Sequence, residues 1–157
     1  MDPIKIENGA DDRGERQRKF DALMVARNAR KAAAASAAAD YEIDVMTALD
    51  AAEQEYGDDR VKRVDISPGV CSVIIARTDA LTAPVRHLRT LQRSANAKAP
   101  ERLKVAENIA RAAVVWPAKG APMDLAAVDK AYPAAVETIV NAALVLAGAQ
   151  AEEDAGK

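Results

Sequence analysis

One histidine, His87, and one cysteine, Cys71, are the whole imidazole and thiol inventory of the chain, so any Ser-His or Cys-His nucleophile would have to be built on them. His87 stands between Arg86 and Arg89 in a stretch of helical spacing, which reads as a surface histidine rather than a general base. A zinc centre needs three or four imidazole, thiolate or carboxylate ligands in tetrahedral array, and one imidazole with one thiol does not start one. Asp58-Asp59 and the carboxylates of residues 40 to 55 could bind Mg²⁺ weakly by their chemistry, but they read as a helix stop and a solvated face. Neither a GxxxxGK[ST] loop nor a GxGxxG loop occurs, so no backbone cradle for a nucleotide phosphate is written here. These residues imply no catalytic site, no metal and no cofactor. What remains is arginine: Arg86, Arg89 and Arg93 share one side of a helix, a basic patch able to grip phosphates or an acidic partner, or simply an exposed face balanced by nearby acids.

The elements that carry these residues must come from 157 residues, enough for one ordinary domain or for a small domain with a helical extension. Half of the residues are hydrophobic, but 37 are Ala, so the core must be thin. Aromatics are 3% of the chain, too few for a base-stacking platform or an aromatic-lined pocket. The net charge of −2 provides no global field for nucleic acid, yet its distribution is uneven. Residues 13 to 31 carry seven Lys/Arg and two acids; residues 40 to 59 carry eight acids and no base; residues 60 to 104 carry ten bases and three acids. Such blocks can attract one another within a molecule or between copies. The lone cysteine fits a reducing compartment, and the N-terminal stretch lacks the basic-then-apolar order of a signal peptide. The longest apolar stretch, near Thr138 to Ala149, contains Asn141 and falls short of the ~20 residues that a spanning helix requires. The expectation is a cytoplasmic protein with no membrane partner.

The pattern predicts a mainly α protein with a small β-hairpin, in the α+β class. Residues 1–11 read as a flexible tail. Residues 12–56 lack Pro and, after Gly14, Gly, and predict a long Ala-rich helix, or a helical hairpin if Asp40 caps a second helix. Val45, Leu49, Ala52 and Tyr56 follow at steps of four, three and four, an apolar seam of coiled-coil type. Residues 57–149 predict the β-hairpin plus a helical domain. Val61, Val64 and Ile66 lead into Ser67-Pro68-Gly69, and Val70 to Ala76 resumes β-branched residues. A bundle of three to four helices follows. One opens near Pro84, with Thr82 or Ala83 before it and Val85, Leu88, Leu91 and Ala95 on one face. Another opens at Pro100 with Leu103, Ala106, Ile109, Ala110 and Ala113 inward and runs to Trp116-Pro117. A short helix spans Asp124 to Ala131, and the last runs from Ala134 to Leu146 with Gly148 as its stop. Residues 150–157 read as a second flexible tail.

The order and texture of residues 56–148 resemble the small tail assembly chaperones of long-tailed bacteriophages. The resemblance is carried by GDDRVKRVDISPG before a β run, an apolar helix ending AAVVWP, and a closing KAYPAAVETIVNAALVLAG. It implies a non-enzymatic protein that coats the long amphipathic helix of a tape-measure protein during virion assembly. It also implies self-association along that partner. On this reading Val45, Leu49, Tyr56, Trp116, Tyr132 and Leu144 are the partner-binding candidates. Trp116 beside Pro117 and Tyr132 beside Pro133 equally suit helix-end packing. The alternative is a nucleic-acid-binding accessory protein that uses the basic faces Arg13–Lys31 and Arg86–Arg93, although no Asn or Gln stands among them in a base-reading arrangement.

Overall fold

The structure, a computed structural model, describes residues 9–148. The order is α1 (Gly9–Tyr56), a 3-10 turn (Asp58–Arg60), β1 (Val61–Ser67), β2 (Cys71–Ala76), α2 (Asp79–Arg93), α3 (Ala99–Ala113), β3 (Val114–Trp116), α4 (Leu125–Ala131) and α5 (Ala135–Leu146). The mainly α reading with a small β element holds. Of the tails expected at residues 1–11 and 150–157, residues 1–8 and 150–157 lie outside the described residues, and residues 9–11 already belong to α1. That helix is unbroken: Asp40 does not cap a second one, because nothing in the Ala-rich stretch interrupts the i to i−4 ladder. It stops at Gly57, whose φ of +96° suits glycine and whose N–H donates to the Glu53 carbonyl at 2.8 Å.

The chain divides into two compact units between Asp40 and Tyr41. The expected boundary near residue 56 therefore shifts, because the last turns of α1 pack with the sheet rather than with the rest of the helix. In the first unit, α1 is held by its own propensity and by local pairs such as Glu15–Lys19 at 2.7 Å and Gln17–Asp21 at 2.9 Å.

The second unit is built around a three-stranded antiparallel sheet of order β1-β2-β3. Ser67-Pro68-Gly69-Val70 makes the expected turn, with Gly69 at φ +73° and the Val70 N–H donating to the Ser67 carbonyl at 2.9 Å. The third strand is a correction. Val114-Val115-Trp116 was expected as the end of a helix, but the helical run stops at Ala113. The β-branched pair and the Trp then join the open edge of β2, with Ile75 opposite Val114 and Ile74 opposite Trp116.

All six residues of β2 are buried, so both faces of a very small sheet must be covered. Alternation divides the work. Val64, Val73 and Ile75 face a layer formed by Leu81 and Val85 of α2, Val105, Ile109, Ala110 and Ala113 of α3, and Ile139, Val140 and Ala143 of α5. Val61, Ile74 and Ala76 face Val45 and Ala52 of α1, with Tyr41, Leu49, Tyr56 and Trp116 closing the edges of that cluster. Cys71, Val128 and Ala135, with Ile66 and Tyr132, seal the hairpin end under α4. Of the four helices after the hairpin, α2, α3 and α5 thus form one layer against the sheet, and α4 closes the hairpin end.

Three further expectations change in detail. α2 starts at Asp79 with Thr78 before it, so Pro84 lies inside the helix instead of in its first turn. Thr78 ties that start to α3 by donating its hydroxyl to the Ala112 carbonyl at 2.9 Å. Ala95 lies beyond the end of α2 and is exposed. On α3 the inward position is Val105, 3% exposed, and not Leu103, 66% exposed, because only the former continues the Ile109 and Ala113 stripe by a step of four.

A polar latch joins α1 to the sheet. Arg63 of β1 pairs with both oxygens of Glu42, the Nη2 contact measuring 2.9 Å, and its Nε donates to Asp65 at 2.7 Å. The Ser72 hydroxyl donates to the same Asp65 carboxylate at 2.6 Å. Beyond the short β3, the Ser72 N–H donates to the Tyr41 hydroxyl at 2.6 Å, so a side chain satisfies a backbone group that a longer strand would have paired. The Arg63 guanidinium holds the Glu42 carboxyl below its usual range, and the Ser72 hydroxyl, then Arg63, do the same for Asp65.

Two measurements test this account. Ile74→Ala removes a fully buried side chain from the central strand and is expected to cost about 2–5 kcal/mol in urea unfolding. Lowered carboxyl pKa values mean stability that is present above the ordinary carboxylate range and is lost as pH falls through that range and below it. Melting temperature should therefore drop on acidification in the wild type. Arg63→Leu should be less stable at neutral pH and show a shallower acid limb. An unchanged limb would assign the latch no energetic role.

Candidate functional site

The structure gathers four of the six partner-binding candidates, but it gathers them inward. Val45 is 0% exposed against Ile74, so it cannot meet a partner, and this corrects its selection. Leu49, Tyr56 and Trp116 are half-buried around it, and the Trp116 ring lies 6.4 Å from that of Tyr41 at a 43° tilt. Tyr132 packs by the hairpin end, and Leu144 rests half-buried against the main core. The seam at Val45, Leu49, Ala52 and Tyr56 is real, but its groove is filled by the chain's own sheet. Periodicity reports that a face is covered and does not say by what.

The open apolar surface lies on α1 in a different phase. Every residue from 13 to 40 is exposed, including Phe20 at 56%, Leu23 at 64% and Val25 at 69%. Within the first unit, Ala22, Val25, Ala29, Ala32, Ser36 and Ala39 follow at alternating steps of three and four with no charged side chain among them. Phe20, Leu23 and Met24 lie on the opposite side of the helix at about 100° per residue. The signal that marks this face in the sequence is the absence of charge at a heptad spacing, which is hidden when Ala is counted merely as a helix former.

Charged and reactive groups are distributed over the second unit. Arg86 and Arg89 of the basic patch line one pocket together with Arg77, which helical spacing could not have added, while Arg93 is exposed outside it. A larger open cleft of about 650 Å³ lies between α3 and α4 and is lined by Glu107, Arg111, Lys119, Asp124, Asp129 and apolar neighbours. Asp124 there caps α4: its oxygens accept the Gly120 N–H at 3.0 Å and the Ala127 N–H at 3.1 Å, and these bonds lower its pKa. That carboxylate is committed to the backbone. His87 is exposed, and Cys71 is buried in the hairpin-end cluster, where burial raises its thiol pKa and keeps it protonated.

Among the described residues no group of three His, Cys, Asp or Glu side chains is placed to hold a metal ion, and no helix is long and apolar enough to cross a membrane. No protein-family model matches the chain, and neither does any curated protein or solved structure.

Proposed function

We propose that the chain is a non-enzymatic assembly chaperone or helical scaffold of the phage-tail type, acting in the host-cell cytoplasm. It shields the amphipathic helices of a tape-measure-like partner and self-associates along it. One observation carries the reading: from residue 13 to 40 a continuous helix has every side chain exposed, and from Ala22 to Ala39 an uncharged seam runs down one side. Apolar side chains exposed along one helix are the kind of surface that a second helix covers. Ala at the seam lets a second helix approach closely while each turn buries little area, so the grip is extended and releasable rather than deep. A shield that must later yield to tube subunits needs that combination.

Co-expression with a long amphipathic coiled-coil partner is the test. The wild type is expected to move the partner into the soluble fraction and to co-purify with it. Ala29→Glu with Ala32→Glu places two carboxylates in the seam at exposed helical positions. The double variant should keep its unfolding free energy within the roughly ±0.5 kcal/mol typical of surface changes while losing the partner. No gain in solubility with the wild type, or an equal gain with the double variant, refutes the proposal.

A further inference from the structure

Two apolar patches of opposite charge lie exposed on α1, one in each compact unit. In the first unit Phe20, Leu23 and Met24 share one side of the helix. At about 100° per residue, Arg13 and Arg16 before them and Arg27 and Lys31 after them fall on that same side, and all are exposed. Glu15 and Asp21, the two acids of residues 13 to 31, fall outside this arc, where Lys19 at 2.7 Å and Gln17 at 2.9 Å engage them. The patch is therefore apolar at its centre and cationic at both ends, and it faces away from the uncharged Ala22 to Ala39 seam. In the second unit Ile43 and Met46 are exposed with Asp44 and Asp50 beside them. Asp50 accepts only a neutral partner there, the Gln54 side-chain amide at 2.8 Å. No Lys or Arg occurs from residue 32 to 59. Arg63, which comes within 3.9 Å of the Met46 sulfur, is spent on Glu42 and Asp65.

An apolar patch flanked by one charge is matched by an apolar patch flanked by the other: contact removes hydrocarbon from water while the flanks attract. The chain carries both halves. Yet α1 is one unbroken helix from Gly9 to Tyr56, and stretches of a single helix do not fold against each other, so a contact between the two patches joins two molecules. We propose that the basic patch at Phe20, Leu23 and Met24 docks on the acidic patch at Ile43 and Met46 of a second copy of this chain. The proposal gives a surface to the self-association included in the proposed function. It rests on that reading for its purpose but not for the contact, which needs no other protein. Five large apolar side chains cover far less than the roughly 1,200–2,000 Å² of a stable interface, so each contact is weak and its charges govern its salt dependence. A weak contact repeated from copy to copy suits a coat that is later dismantled.

Sedimentation velocity on the purified full chain alone, over a concentration series at low and at high salt, is the test. The sedimentation coefficient should rise with concentration at low salt and return to the monomer value at high salt. Arg27→Glu turns an exposed attraction into a repulsion of similar size and should weaken association about fivefold, and Asp50→Arg should do the same from the other side. Mixing these two variants should restore association, because the intact acidic patch of one then meets the intact basic patch of the other. Both new residues are good helix formers at exposed positions, and the rescue is seen only if both variants fold. Arg18→Glu makes the same change of net charge on the opposite side of α1 and should leave association unchanged. A chain that stays monomeric at low salt overturns the proposal, as does the absence of rescue or an equal loss with Arg18→Glu. It is also overturned if Ala29→Glu with Ala32→Glu dissolves the association while Arg27→Glu leaves it intact, since copies then meet through the seam. Association that persists while the co-expression test fails strikes the chaperone reading alone.

Discussion

A six-residue strand buried on both faces governs the second unit. Cys71 to Ala76 has no polar side of its own, since even Ser72 is 1% exposed. A sheet of three short strands cannot shelter such a strand by itself. Helices have to come from both directions, and those directions are far apart in sequence: α2, α3 and α5 follow the hairpin, whereas the opposite cover is the end of α1. The last turns of α1 are therefore structural, and the polar latch at Glu42, Arg63, Asp65 and Ser72 fixes where along the sheet they lie.

This constraint explains which parts of the fold were legible in the sequence. The hairpin turn at Ser67-Pro68-Gly69, the stop at Gly148 and the long first helix rest on local chemistry, and local chemistry reads directly. β3 did not, because Val114 to Trp116 is a strand only by virtue of the β2 edge that it joins. Pro84 misled for a related reason. Proline favours a first turn, but the α2 start at Thr78 is anchored by a hydroxyl bond to α3, a contact that no window of sequence contains. Leu103 and Val105 differ by two positions, and only the packed neighbours decide which of two apolar phases faces inward.

The candidate surfaces divide in the same way. Val45 belongs to a clean apolar seam, and the chain buries that seam against its own sheet. The seam left open is poorer in area and richer in Ala, hence fainter on any hydropathy scale. Two arginines of the pocket were visible as a helical stripe, whereas Arg77 came from a strand end and needed the fold to bring it in. Side chains that share an element can be read together from spacing alone. Those that meet across elements cannot.

An Ala-rich seam also constrains the helical partner proposed for it. Hydrophobic gain scales with area, at about 25 cal/mol per Å², so layers of methyl groups contribute little each and must act over many turns to hold anything. A short or strongly curved ligand would leave most of the seam unused. A long, straight helix would not, and it would approach closely enough for dispersion contacts along the whole line. The charge order beside the seam adds direction, with residues 13 to 31 rich in Lys and Arg and residues 40 to 59 rich in acids. A partner helix that carries the reverse order is attracted along its length, while one in the same order is repelled at both ends. On the proposed function, a weak grip per turn and a preference for one orientation follow from the same composition.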